Sequence, residues 1–521
     1  MNWGSVFKAS TSFPLLLSIG LLIRLPTLLQ PVQEGARNAQ TACLTANMIE
    51  EGRLRLDPVA PWRGNLSARL VQELPVYNLC VLALAKISGF SLDLAGRSVS
   101  LIFWILGFWL LQKLWRMTLP EEAHFWANLL FGLTPMGWYL STAFMPETLL
   151  QFVTLAFLLI CIRYSQIPSV TTLSLLSLIA VLGLLLKFPA FVHLGLFFLF
   201  VLIDQQGVRA FSRPELWIAG FCILLPLGGW GQYIDSVNRA YFPYWCGGEN
   251  LKGFIQPGVS RFNFAFWTSL AGYNLAYIIP VVAAPFALVG LIRTWNNRSD
   301  FFHSRIWFYL LLSLVVSWLL WAKGCAWQNY YNLPNLVVFS AFFGLGMARL
   351  TGSSVFGRFP ALLRVSAAAV WWAFFFIGCG VGYWHLSRPD VVTLKVAEWI
   401  RAHSGPNDLI LYQPRHIANL MDYEHQPLLS HLTGRTTWIW TRSTPDWEKQ
   451  QALASSSYIV VSQPNADSSA LNKLREKFKG LPSLPPSPLV QTSEHSFRMI
   501  MSDEDFSIYC KDPDTIPSVT K

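Results

Sequence analysis

The sequence predicts a polytopic α-helical membrane protein with a small C-terminal α/β domain, and three observations lead there. Of 521 residues, 53% are hydrophobic and 15% aromatic, while only 13% are charged, about half the charged share usual in soluble proteins. Apolar windows long enough to cross about 30 Å of hydrocarbon recur through the first three quarters of the chain. The last quarter is polar, so the mean hydropathy of +0.39 understates how apolar the preceding part is.

The windows fall near residues 12–30, 97–115, 124–142, 147–163, 170–186, 188–203, 216–234, 275–293, 305–322, 332–348 and 364–384, roughly eleven spans once tilt and short helices are allowed for. The first holds Arg24 and is followed by no small-residue cleavage site, so it is expected to stay as an anchor. Short segments after alternate spans carry Lys113, Arg116, Arg163, Arg209, Arg213, Arg293, Arg298, Arg305, Arg349, Arg358 and Arg364. The opposite turns offer little beyond Lys187 and Lys323, so the first set is expected to face the cytoplasm. Segments 31–96 and 235–274 and the tail are then extracytoplasmic. This gives a membrane domain over 1–385, with its functional region in the first outer loop 31–96, and a soluble domain over 386–521.

Within the first loop, QTACLTANMIEEG (40–52) and LPVYNLCVLALAKISG (74–89) have helical periodicity and read as helices along the membrane surface. The second is also apolar enough to read as a span. The tail alternates helix-like pieces, such as DVVTLKVAEWIRAHSG, HIANLMDY, DWEKQQALASS and SALNKLREKF, with strand-like DLILYQ, YIVVSQ and FSIYC. Buried strands separated by amphipathic helices predict a small α/β domain. It has no Gly-rich phosphate loop, which argues against a nucleotide site. LPSLPPSPL (481–489) reads as a Pro-rich connector.

The formal charge of +10 does not point to nucleic acid, because the basic residues are scattered between apolar spans and form no stripe. Eight cysteines stand singly without CxxC spacing, which indicates neither a disulfide framework nor a zinc site. His193 falls within a window with no second histidine spaced to join it in a metal site.

Two carboxylates at the outer mouths of spans stand out, because a charge near the bilayer needs a partner or a function. They are Glu34, after the first span, and Glu147, after the third. Each is also accounted for as an acid at a helix N-terminus, where it meets the macrodipole; Pro146 strengthens that reading for Glu147. Lys187, at an outer turn, can snorkel to the interface, and Arg37 reads as a solvated helix residue. The segment QNYYNLPN (328–335) gathers amides and tyrosines beside a span, able to hydrogen-bond and stack on a polar ligand, while tyrosines at this depth are also ordinary interfacial residues.

In order along the chain, EGARNAQTA, QELPVY, RSVSLIFWILG, AFMPETLL, LLKFP and QNYYNLPN resemble the bacterial GT-C glycosyltransferases that use polyprenyl-phosphate sugars. Protein O-mannosyltransferases and lipid A aminoarabinose transferases are relatives. The resemblance implies a GT-C type fold with extracytoplasmic amphipathic helices, in the bacterial inner membrane. It further implies transfer of a hexose or pentose from a polyprenyl-phosphate donor to a hydroxyl on a lipid, glycan or protein, with inversion. Aligned on Arg37, the family's first-loop pattern Asp-Glu-x-Arg-Tyr-Ala-Glu puts its leading acid on Glu34 and its last on Gln40. The second family acid falls on Glu147. The Glu-Lys-Pro-Pro signature falls on Gln72-Glu73-Leu74-Pro75, without the lysine often assigned to the lipid phosphate, so the resemblance implies another cation there, Lys187 first and Arg37 second.

The implied catalytic residues are Glu34 as base and Glu147, and the implied substrate-binding residues are Arg37, Gln40, Glu73, Tyr77, Lys187, Gln328, Tyr330 and Tyr331. No metal ligand is assigned and no cofactor is implied firmly, although some of these enzymes use a divalent ion. The alternatives are a transporter or flippase of lipid-linked sugar, and a non-catalytic glycolipid-binding relative. Gln40 and the missing lysine favour the latter. The absence of an internal repeat counts against transport.

Overall fold

The computed structural model describes residues 9–32, 36–50, 52–242, 246, 259–297, 300, 304–320, 329–352, 360–413, 427–439, 446–462, 489–491, 496–502 and 506–511. They divide into two compact units, Met1–Gln30 with Val71–Ser387, and Pro31–Leu70 with Arg388–Lys521.

The first unit is helical. Its helices are Ala9–Leu28, Val76–Ser88, Leu92–Thr118, Glu121–Leu133, Pro135–Leu140, Glu147–Gln166, Val170–Phe191, His193–Gln206, Pro214–Asn238, Phe264–Tyr273, Ala284–Asn296, Ile306–Leu320, Asn335–Thr351 and Ala361–Ser387. Every apolar window thus carries helix. Among the described residues, five helices are long and apolar enough to cross a membrane: Leu92–Thr118, Glu147–Gln166, Val170–Phe191, Pro214–Asn238 and Val365–Ser387. Helix Val76–Ser88, at 13 residues, is about 20 Å long, short of the hydrocarbon thickness. Its left-handed C-cap Gly89 (φ 71°) turns the chain directly into Ser91, whose side chain caps the next helix at Leu94 N. The window near 124–142 is two helices because Thr134 ends the first in extended backbone and caps the second, with Pro135 at its first turn. His193 begins its helix rather than lying inside one.

Helices approach closely where side chains are absent. A Cβ added to Gly290 would lie 1.8 Å from the Phe342 carbonyl oxygen, and one added to Gly346 would lie 1.8 Å from that of Phe286. Helices Ala284–Asn296 and Asn335–Thr351 therefore touch backbone to backbone, as small residues permit in membrane bundles. Gly344 does the same against Ala123. Along Pro214–Asn238, by contrast, Trp217, Phe221, Leu224 and Leu225 are exposed, which suits a face turned to lipid.

The second unit is built on a six-stranded sheet. After a two-residue hairpin, β1 (Ile49–Glu50) with β2 (Arg53–Leu54), come β3 (Ile410–Gln413), β4 (Thr437–Ile439), β5 (Tyr458–Ser462), β6 (Leu489–Gln491), β7 (Ser496–Ser502) and β8 (Phe506–Lys511). The sheet order is β4-β3-β5-β8-β7-β6. β4, β3 and β5 are parallel and the rest antiparallel. Parallel pairing follows from the helices Leu428–Thr433 and Asp446–Ser455 that return the chain between those strands. The core is Leu409, Leu411, Trp438, Ala452, Ile459 and Tyr509.

The linear division read from the sequence placed 31–96 wholly with the membrane domain; residues 31–70 instead pack with the tail. Residues 61–64 run along the open edge of β4: Gly64 N donates to Thr437 O (2.8 Å), Thr437 N to Pro61 O (2.8 Å) and Ile439 N to Trp62 O (3.3 Å). This covers backbone groups that an edge strand would leave bare. The expected helix over 40–52 occupies Ala36–Ala46 and gives way to the β1–β2 hairpin, because Gly52 takes φ 73° and reverses the chain. HIANLMDY and SALNKLREKF lie outside the described residues, as does all of the Pro-rich connector except Leu489.

Gly64 holds φ 56°, and a Cβ there would fall 1.8 Å from Trp438 Nε1. Gly64→Ala is expected to destabilise this unit by about 3 kcal/mol, from the left-handed backbone and the displaced indole. Gly52→Ala, also at positive φ but with no atom within 4 Å, is expected to cost about 1 kcal/mol. Limited proteolysis of the full chain in detergent, scored by survival of the tail, ranks the two; equal protease resistance would refute the steric account.

Candidate functional site

Glu147 is the first residue of helix Glu147–Gln166 and is 1% exposed. The turn before it is clamped from below by two buried arginines. Arg24 donates from Nε to Ser141 Oγ (2.5 Å), from Nη1 to Gly20 O (2.8 Å), and from Nη2 to Gly132 O (2.9 Å) and Gly137 O (3.2 Å), with its guanidinium 4.0 Å over the Trp104 ring. Arg97 Nη1 donates to Thr142 O (2.6 Å), and Ser100 Oγ to Ala143 O (2.6 Å). A charge this deep is tolerated where carbonyls replace its hydration. Here the replaced hydration becomes rigidity in the loop that delivers Glu147.

Lys187 comes to the same place for a different reason. Pro189 has no N–H and crowds the carbonyl four residues back, so helix Val170–Phe191 breaks, and Lys187 takes extended backbone (φ −165°, ψ 85°). The freed Leu185 carbonyl accepts from Leu74 N at 2.9 Å, which docks QELP against the break. The 5%-exposed Lys187 side chain then points inward. Its Nζ pairs with Glu147 Oε1, and it lies 4.2 Å from the Tyr330 ring centroid and 4.8 Å from that of Tyr331. Glu147 Oε2 is buried without a hydrogen-bond partner. Burying both charges carries a desolvation penalty that attraction does not always repay, and the two aromatic faces favour the ammonium further.

Glu147, Lys187, Tyr330 and Tyr331, four of the residues singled out from sequence, therefore form one cluster. Tyr77 is 1% exposed, and its hydroxyl donates to Gly96 O (2.8 Å) and lies 2.9 Å from Ser100 Oγ. Its ring meets Phe144 edge-on, so it braces the Glu147 loop. Glu73 is half-buried beside docked Leu74. Arg37 and Gln40 lie in the second unit and bond each other, Arg37 Nη1 to Gln40 Oε1 at 2.7 Å, with Gln40 buried. Glu34 and Gln328 lie outside the described residues.

Sequence reasoning missed the clamps Arg24 and Arg97, although a lone arginine inside an apolar window is itself a signal. It also missed Gln151 and Thr154, which follow Glu147 at i+4 and i+7 on one helix face; each is buried with a polar side-chain atom lacking a partner. Among the described residues, no group of three or more His, Cys, Asp or Glu side chains could hold a metal ion.

The fold can be compared with solved structures. ArnT from Cupriavidus metallidurans bound to undecaprenyl phosphate matches with a TM-score of 0.59 and 12% identity, covering 95% of this chain and 97% of that one. The oligosaccharyltransferase of Archaeoglobus fulgidus in its apo form matches with a TM-score of 0.53 and 11% identity, covering 89% and 70%. The chain has the GT-C glycosyltransferase fold. Residues 72–230 match the family model described as dolichyl-phosphate-mannose-protein mannosyltransferase. That stretch contains Glu73, Tyr77, Glu147 and Lys187 and falls inside the helical unit. No curated protein matches the chain.

Proposed function

We propose that this GT-C protein transfers a sugar from a polyprenyl-phosphate donor to an acceptor hydroxyl, with inversion, on the extracytoplasmic face of a bacterial inner membrane. The observation that carries the proposal is the buried Lys187, facing Glu147 and roofed by Tyr330 and Tyr331. The leaving group of such a donor is a phosphate, already stable as an anion, so its departure needs a fixed cation more than a general acid. Lys187 takes that role. It supplies the positive charge for which the QELP segment has no lysine.

Without donor, Glu147 neutralises Lys187; with donor, the phosphate shares the ammonium. The bond between the anomeric carbon and the phosphate oxygen breaks as the acceptor oxygen bonds to the opposite face of that carbon. The acceptor proton passes to Glu34, the base in this reading. Glu73 contributes hydrogen bonds, Gln328 with the two tyrosines receives the sugar, and Arg37 and Gln40 remain substrate-binding residues in this reading. The polyprenyl chain lies in an apolar groove, where burial contributes about 0.8 kcal/mol per methylene. That the ArnT structure is bound to undecaprenyl phosphate supports a lipid-phosphate donor.

The test is turnover by purified protein in lipid nanodiscs. Polyprenyl-phosphate mannose and polyprenyl-phosphate aminoarabinose, each labelled in the sugar, are supplied with solubilised cell envelope as acceptor. Label is expected to appear on acceptor with release of polyprenyl phosphate, the product having inverted anomeric configuration by NMR. Movement of intact donor across vesicles without bond cleavage would replace this reading with transport.

A further inference from the structure

The two rings over Lys187 are carried on one turn of 3-10 helix, Asn329–Asn332. So short a turn has little stability of its own, and its Leu333 N to Tyr330 O bond (3.1 Å) fixes its shape but not its place. Three buried asparagines tie it in place: Asn332 in the turn itself, Asn335 three residues further on, and Asn274 from a distant part of the chain. Asn335 Nδ2 donates to Asn332 Oδ1 (3.3 Å), at the end of the turn, and to Asn274 Oδ1 (2.9 Å), on a separate element. Asn332 and Asn335 are fully buried and Asn274 is 6% exposed.

The direction of these bonds is determined by Asn274. Its Nδ2 is committed to Leu270 O at 2.8 Å, so its Oδ1 must accept, and the amide of Asn335 is the donor that meets it. Asn274 also opens a π-helical turn, Asn274–Ile278, a local widening that often accompanies functional positions. The preceding helix contributes Phe266 and Leu270, against which Tyr331 packs. The helix Phe264–Tyr273 thus holds the tyrosine turn by an apolar contact, and the π-helical turn that follows it holds it, through Asn335, by a hydrogen-bonded one.

We propose that Asn335, Asn274 and Asn332 are positioning residues for donor binding: they set Tyr330 and Tyr331 over Lys187, and so set the shape of the site that receives the donor phosphate. This rests on reading Lys187 and its tyrosines as the donor site. A misplaced roof weakens binding of the donor while leaving the acceptor chemistry in place.

The experiment is a mutant cycle on the full-length protein, measuring donor KM and kcat with a polyprenyl-phosphate sugar that it turns over. Asn335→Leu is expected to raise donor KM about tenfold with kcat within about twofold. In a Tyr330→Leu/Tyr331→Leu background, Asn335→Leu is expected to change donor KM no further, because its effect runs through those rings. An unchanged KM in Asn335→Leu, or the same tenfold factor persisting without the tyrosines, would overturn the positioning role. Should Asn335→Leu fail to elute as a monodisperse species, Asn274→Ser, which shortens the partner, is scored by the same criteria. If Tyr330→Leu/Tyr331→Leu itself binds donor as wild type does, the donor-site reading fails, and this inference with it.

Discussion

Lys187→Met is expected to lower sugar transfer by about 10²- to 10³-fold, the loss typical when a preorganised charge-stabilising group is removed. It is also expected to destabilise the helical unit by about 3 to 5 kcal/mol, because Glu147, 1% exposed, is left as a buried charge without its partner. The two effects separate in the double variant. Lys187→Met/Glu147→Gln removes both charges, so most of the stability returns while transfer stays as low as in the single variant. Thermal unfolding in detergent beside turnover reads both. A single variant with wild-type turnover would remove Lys187 from the site, and turnover recovered in the double variant would mean that the pair is structural.

Glu34→Gln is expected to reduce transfer by about 10²- to 10⁴-fold with the fold intact, as loss of a general base does. The competing account of Glu34, an acid placed before helix Ala36–Ala46, predicts something quite different. Losing a dipole-compensating charge costs about 0.3 to 1 kcal/mol of stability and leaves turnover untouched. Measuring donor KM and kcat together discriminates further, since a base removed from the reacting hydroxyl lowers kcat without weakening donor binding. Normal kcat in folded Glu34→Gln protein would sink its role.

Much of the architecture was legible because the bilayer imposes a length. A helix that must cross the hydrocarbon shows itself as a run of apolar residues whatever it packs against, and helices are found at each of those runs. In the tail, the strands with clear alternating or apolar patterns, such as Ile410–Gln413 and Tyr458–Ser462, were equally readable. Thr437–Ile439 was not. Three residues give no period, and that strand exists because it pairs with β3 on one side and with residues 61–64 on the other.

The site was legible by residue type and only partly by arrangement. Glu147 and Lys187 each had an ordinary explanation, as a helix-start acid and a snorkelling interfacial lysine. Their pairing across 40 positions depends on the helix break at Pro189 and on a loop clamped by Arg24 and Arg97. Tyr77 shows the converse: it was expected among the substrate-binding residues, and its hydroxyl is engaged with Gly96 and Ser100. Such bonds join helices whose contact no local pattern announces.

Hydrophobicity and helix length, which act locally along the chain, determined by themselves that this protein is a helical membrane bundle with a mixed α/β tail, and which polar residues stand exceptionally against that background. Tertiary structure alone decided that residues 61–64 cover the edge of the tail's sheet and that Lys187 turns inward to Glu147 beneath two tyrosines. The physical reason is that a buried charge, or a bare strand edge, is satisfied by whichever partner the fold brings within hydrogen-bonding reach, and that reach is a property of three-dimensional packing, with no period or spacing in the sequence to encode it.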